Sequence, residues 1–215
     1  LALADRGFDK VLAKVGVEPS GEPFNEISLE DESGRPLNPM INAGAITTHS
    51  LVGAENISPE KRMERVVEGL SAFAGRPLQI DEAVYSSEIE HAHRNIAIAH
   101  MLRSHDILTE NPAKVVEGYT RQCSLEVTVK DLAMMAATLA NYGEQPRTGE
   151  QVVPKTVVRQ VLSVMFTCGM YNAAGDWATQ VCIPAKSGVG GGIIGAVPGQ
   201  LGVATFSPRL DIHGN

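Results

Sequence analysis

Apolar residues recur at helical spacing over about three quarters of the chain, and the rest alternates in short runs broken by glycine and proline. Phe8, Val11, Leu12 and Val15 mark one face of a helix over 8–15, with Gly16 as its stop. Residues 1–7 read as the tail of a helix already in progress. Residues 18–39 carry Pro19, Gly21, Pro23, Gly34 and Pro36 without periodicity, predicting a long irregular connection with one short strand at 24–29. The small apolar stretch 40–51 predicts a helix. Ser58-Pro59-Glu60 supplies an N-cap, a proline at the first helical position and an acid in the first turn, and Gly75-Arg76-Pro77 supplies the stop. One or two helices are expected over 81–101, and Asn111-Pro112 opens a short one towards Tyr119. Thr128 caps the best-patterned helix, with Asp131 approximating a capping box and Leu132, Met135, Ala136 and Leu139 facing inward as far as Gly143. Pro154-Lys155 begins another that runs to about Cys168.

Beyond that point the period changes. Residues 180–185, 192–198 and 202–208 read as short strands joined by Gly and Pro turns. Strands segregated from helices predict an α+β fold with a helical cluster packed against an antiparallel sheet. At 215 residues, 43% hydrophobic and 20% charged, the balance is that of a folded globular chain and not a disordered one. A formal charge of −7 argues against nonspecific nucleic-acid or anionic-membrane binding, and no apolar run reaches the roughly 18–20 residues that span a bilayer. Cys123, Cys168 and Cys182 fit no Cys-x-x-Cys element, so reduced thiols and a cytoplasmic setting are expected. Both ends read as cuts within a larger protein.

Several segments carry candidate chemistry. Gly190-Gly191-Gly192-Ile193-Ile194-Gly195 matches the dinucleotide fingerprint in letters, but Ala196-Val197-Pro198-Gly199 ends in a turn where a phosphate-binding helix should open. Lys186 could hold an anion or polarise a hydroxyl, and Ser187 with the N–H groups after it could donate to an oxyanion. Ser58-Pro59-Glu60-Lys61 is a literal Ser-x-x-Lys, but capping accounts for Ser58, and Lys61 sits in a charged run. His91 and His93, two apart, point to different faces of a helix and make a poor metal site. Glu88 and Asn95 are seven apart and share a face if their helix is continuous, where they could hold an ammonium and an amino acid. Tyr119 lies among polar neighbours, and Tyr171 follows Cys168-Gly169-Met170; each could be a packed aromatic or a proton relay.

Lys186-Ser187-Gly188 resembles the Lys-Thr-Gly strand element of penicillin-binding and β-lactamase-type enzymes. With Glu18-Pro19-Ser20-Gly21, Asn38-Pro39-Met40-Ile41-Asn42-Ala43-Gly44-Ala45-Ile46, Arg94-Asn95, Cys123-Ser124-Leu125-Glu126-Val127-Thr128, Met135-Ala136-Ala137-Thr138-Leu139-Ala140-Asn141, Cys168-Gly169-Met170-Tyr171 and Phe206-Ser207-Pro208, it makes the chain similar to the serine-dependent glutaminases in order over nearly its whole length. The resemblance implies a β-lactamase-like serine hydrolase fold and hydrolysis of L-glutamine to L-glutamate and ammonia through a seryl acyl-enzyme, without metal or organic cofactor. It implies that Asn42, Glu88, Asn95 and Tyr119 hold the amino acid, that Tyr171 moves protons beside the nucleophile, and that the Val189 N–H helps form the oxyanion hole. A homodimer or homotetramer, with no nucleic-acid or membrane partner, belongs to the same implication. The family's Ser-x-x-Lys belongs before Leu1, with a further tyrosine upstream of it. Residues 1–215 are therefore expected to be one partial catalytic domain, inactive alone. A penicillin-interacting serine hydrolase and a nonenzymatic amino-acid-binding protein are the competing expectations.

Overall fold

A computed structural model describes residues 1–215. The chain forms two compact units, one built from residues 1–17, 24–68 and 79–126, the other from 18–23, 69–78 and 127–215.

The first unit is helical. Helices α1 (Ala2–Arg6) and α2 (Phe8–Leu12) meet at Gly7, whose φ of 82° lies in the left-handed region that glycine tolerates. The helix expected over 8–15 stops at Leu12, where the Arg35 guanidinium takes the Leu12 carbonyl and Gly16 N–H donates to Pro36 instead. Val11 and Val15 are buried as expected, whereas Phe8 is exposed. The strand expected at 24–29 does not form. Only an isolated bridge between Leu29 and Pro36 is present, because side chains close the turn: Ser33 and Arg35 both bind the Glu30 carboxylate, at 2.6 and 2.5 Å.

Helix α3 (Asn42–Ser50) follows, then α4 (Pro59–Ala74), which belongs to this unit as far as Glu68, α5 (Glu82–Glu90), α6 (His93–Ser104) and α7 (Pro112–Cys123). Their starts are capped by the residues the sequence pattern selects. Ser58 Oγ accepts from Lys61 N–H at 3.3 Å, Asp81 accepts from Ala83 and Val84, and Asn111 from Ala113 and Lys114. The expected helix over 81–101 is two helices broken at His91-Ala92. The core of α3, α6 and α7 buries Ile46, Ile98, Leu102, Leu108, Val115 and Val116 completely, each contributing about 1.5–3 kcal/mol. Beside it, Arg62 is 2% exposed and forms a bidentate pair with Glu110 at 3.0 and 2.6 Å.

The second unit carries the sheet. Helix α8 (Val129–Ala140) begins with a full capping box: Thr128 Oγ1 accepts from Asp131 N–H and the Asp131 carboxylate accepts from Thr128 N–H. Helix α9 (Lys155–Cys168) leads through a 3-10 turn (Tyr171–Ala173) into α10 (Ala174–Gln180). Strands β1 (Ala185–Gly188), β2 (Gly192–Val197) and β3 (Leu201–Phe206) pair antiparallel in the order β1-β2-β3. Helix α8 lies on β2 and β3. It lies so close that a Cβ on Gly202 would collide with the Ala137 backbone. The strand expected at 180–185 is a helix end and a turn instead. Trp177 Nε1 donates to the Ile183 carbonyl at 2.7 Å and Trp177's own carbonyl accepts from Val181 and Cys182, so the ladder opens only at Ala185. The molecule is thus α+β, as the pattern of strands after helices predicts.

Candidate active site

The candidate residues fall into two groups, one in each unit. In the first unit, Asn42 opens α3, and its N–H donates to the Phe24 carbonyl at 2.9 Å. The Asn42 amide Nδ2 donates to Asn95 Oδ1 at 3.0 Å across 53 residues of sequence. Two residues that the resemblance assigns to the same amino-acid ligand therefore share one hydrogen bond, with both side chains half-buried. The close packing that brings the start of α3 here needs Gly44, because a Cβ there would overlap the Asn38 carbonyl. Asn38 is itself buried, and its side chain accepts from Met40 N–H at 3.0 Å.

Glu88 lies exposed on α5, and Asn95 lies in the first turn of α6. The break at His91-Ala92 leaves unmet the condition of a continuous helix under which their spacing would put them on one face. On α7, desolvation raises the pKa of the Cys123 thiol, a hydrogen bond with Tyr119 opposes the rise, and the nearby charge of Glu88 adds to it. Tyr119 is half-buried against the helical core. Glu88, Cys123 and Tyr119 thus form one neighbourhood. Sequence reasoning treated Cys123 only as a free thiol; its position one turn after Tyr119, on the same face of α7, is the signal that could have placed it.

In the second unit, Tyr171 adopts φ 54°, a left-handed conformation uncommon for a bulky residue and a mark of local constraint. Its hydroxyl donates to the Ser187 carbonyl at 3.2 Å, and Lys186 Nζ donates to the same oxygen. The Lys186 ammonium stands 4.1 Å from the centre of the Tyr171 ring. Burial lowers the Lys186 pKa to about 7, so near neutral pH the amine is divided between charged and neutral forms. Ser187 is buried, with its hydroxyl donating to Asn215 Oδ1 at 2.6 Å. Val189 follows β1 in the hairpin turn, half exposed, and its N–H takes no part in backbone pairing. A cavity of about 550 Å³ lined by Lys186, Ser187, Leu132, Ile194 and Phe206 opens beside this strand.

Gly190–Gly195 forms a hairpin and part of β2, with no helix behind it, as its context predicts. Ser58 is a helix cap and Lys61 is exposed. His91 Nδ1 bonds to the Ser87 carbonyl at 2.8 Å, and no cluster of three metal-ligating side chains occurs. No helix is long and apolar enough to cross a membrane.

A family model described as Glutaminase matches residues 1–215. The chain belongs to the glutaminase family. A glutaminase of Corynebacterium efficiens is 54% identical over the whole chain, which covers 51% of that protein. The solved native form of the protein called Mglu is 53% identical with a TM-score of 0.95, and this chain covers 52% of it. Mglu in its glutamate form gives 53% identity and a TM-score of 0.94, with 49% of that chain covered. The chain spans about half the length of these relatives.

Proposed function

We propose that the full-length protein containing this chain hydrolyses the side-chain amide of L-glutamine to L-glutamate and ammonia through a seryl acyl-enzyme. The observation that carries this reading is the Asn42–Asn95 hydrogen bond, which joins two of the positions that the family resemblance assigns to the amino acid. The solved glutamate form of the relative called Mglu supports the same substrate class.

In this reading the Glu88 carboxylate takes the substrate ammonium, while Asn42, Asn95 and Tyr119 hold its carboxylate and backbone polar atoms. Ser and Lys of a Ser-x-x-Lys pair carried outside residues 1–215 supply the nucleophile and its base, because the only such pair inside is a helix cap. The Val189 N–H, unpaired in the backbone network, stabilises the oxyanion. The Tyr171 phenol relays the proton that the Lys base took from Ser: it hands its own proton to the amide nitrogen, which leaves as ammonia when the C–N bond breaks, and takes the Lys proton in its place. Water then repeats the attack on the ester. A cytoplasmic homodimer or homotetramer belongs to the same proposal.

Ammonia release from L-glutamine by the full-length protein, beside residues 1–215 alone, tests it. Turnover by the full-length protein only, lost in Glu88→Ala, is the expected result. Binding of L-glutamine without ammonia release would replace the enzyme reading with that of an amino-acid-binding protein, and acylation by penicillin would favour a β-lactam-interacting hydrolase.

A further inference from the structure

We propose that His49 and Gln122 form a positioning pair that sets substrate affinity by fixing α3 against α7; this rests on the glutaminase reading above. His49 lies seven residues after Asn42, two turns along the same stripe of α3. Gln122 lies three residues after Tyr119 and one before Cys123, on the face of α7 that turns towards α3. His49 Nδ1 meets Gln122 Oε1 at 2.9 Å, joining the two helices across 73 residues of sequence. The amide oxygen faces Nδ1, so Nδ1 carries the proton in this bond, and burial, which lowers the ring's pKa to about 4, keeps it uncharged near neutral pH.

The pair is built into the packing. His49 is buried, and its Nε2 lies only 2.5 Å from where a Cβ on Gly118 would stand, so α7 gives up a side chain there to admit the ring. Around the ring are Arg62 and Glu110, already bound to one another, which leaves Gln122 as the partner that fixes its rotation. At the other end of α3, Asn42 is held by Asn95 of α6. Helix α3 is thus tied to α6 by one amide pair and to α7 by the His49–Gln122 bond. Asn42 and Tyr119, the substrate-holding residues on α3 and α7, take their relative position from that second tie. Neither His49 nor Gln122 is assigned a contact with substrate or with the reacting atoms.

The test uses the full-length enzyme with His49→Leu, Gln122→Met, the double variant and His49→Asn. Asparagine places an amide donor where Nδ1 stood; leucine and methionine keep bulk and remove the bond. Loss of the tie is expected to raise KM for L-glutamine about five- to twentyfold with kcat within about twofold. The double variant should be no worse than the weaker single variant, and His49→Asn should recover most of the loss. Calorimetric titration with L-glutamate gives the same comparison without turnover. Variants that melt earlier but keep the wild-type KM and glutamate affinity would reduce the pair to a packing contact and overturn the inference. A fall in kcat alone would overturn it too. A wild-type enzyme that neither binds nor hydrolyses glutamine would instead sink the functional reading, and this inference with it.

Discussion

Gly44 shows how much a single missing methyl can decide. Its Cα lies against the Asn38 carbonyl, with no room for a Cβ. Gly44→Ala must therefore shift the start of α3 and cost about 1–3 kcal/mol, read as a lower urea midpoint at unchanged m-value. Because Asn42 sits two residues before it, glutamine affinity in the full-length enzyme should fall as well. Tyr171 makes the complementary case. Tyr171→Phe keeps the ring under Lys186 but removes the hydroxyl that donates to Ser187. The full-length variant is expected to lose on the order of 10²-fold in kcat with a smaller change in KM, measured by steady-state ammonia release.

At the scale of elements, helix starts were the most legible feature of the sequence. Ser58, Asp81, Asn111 and Thr128 each cap as their residue types predict, because a cap depends on atoms within three residues. The misread elements failed where a distant or side-chain partner took over the backbone. Arg35 claimed the Leu12 carbonyl, Trp177 claimed the Ile183 carbonyl, and Glu30 closed the turn that replaced a strand. None of these captures has a periodic signature. The candidate site divides the same way. Its members are proposed through resemblance, and the seven-residue spacing of Glu88 and Asn95 would put them on one face only of a continuous helix, a condition that the break at His91-Ala92 removes. The α8 cap also yields a test. Asp131 lies between the Arg76 guanidinium, at 2.7 and 2.6 Å, and Thr128, and these partners hold its carboxyl far below the ordinary range. The stability it adds is present above the unfolded-state value near 3.8 and drains away as pH falls below that. Asp131→Asn should cost about 1–2 kcal/mol at neutral pH and flatten the decline in acid, measured by denaturant melts across pH.

For the whole molecule, acid sensitivity should begin earlier than the carboxylates require. Burial lowers the His49 pKa from 6.5 to about 4 in the folded state. The unfolded chain therefore binds a proton at His49 that the folded chain refuses between those values. Stability is complete above pH 6.5 and is lost as pH falls towards 4, by roughly 3 kcal/mol. His49→Asn should remove that slope while leaving the Asp131 contribution below pH 4. An unchanged slope in the variant would assign the loss to other groups. Arg62 adds a second whole-chain constraint, since Glu110→Gln would leave a buried guanidinium without its counter-charge. A drop of about 2–4 kcal/mol in unfolding free energy is expected.

The two units are each assembled from three separated stretches, so the chain crosses between them five times. Neither unit can be cut out as a continuous piece, and a nascent chain leaving the ribosome cannot close the first until residue 126 has emerged. Folding must therefore wait on late arrivals instead of proceeding unit by unit from the N-terminus. Half-made chains expose the apolar faces of α3 and α6 before α7 exists to cover them. The interval of synthesis between residues 104 and 123 is when this protein should depend most on chaperones.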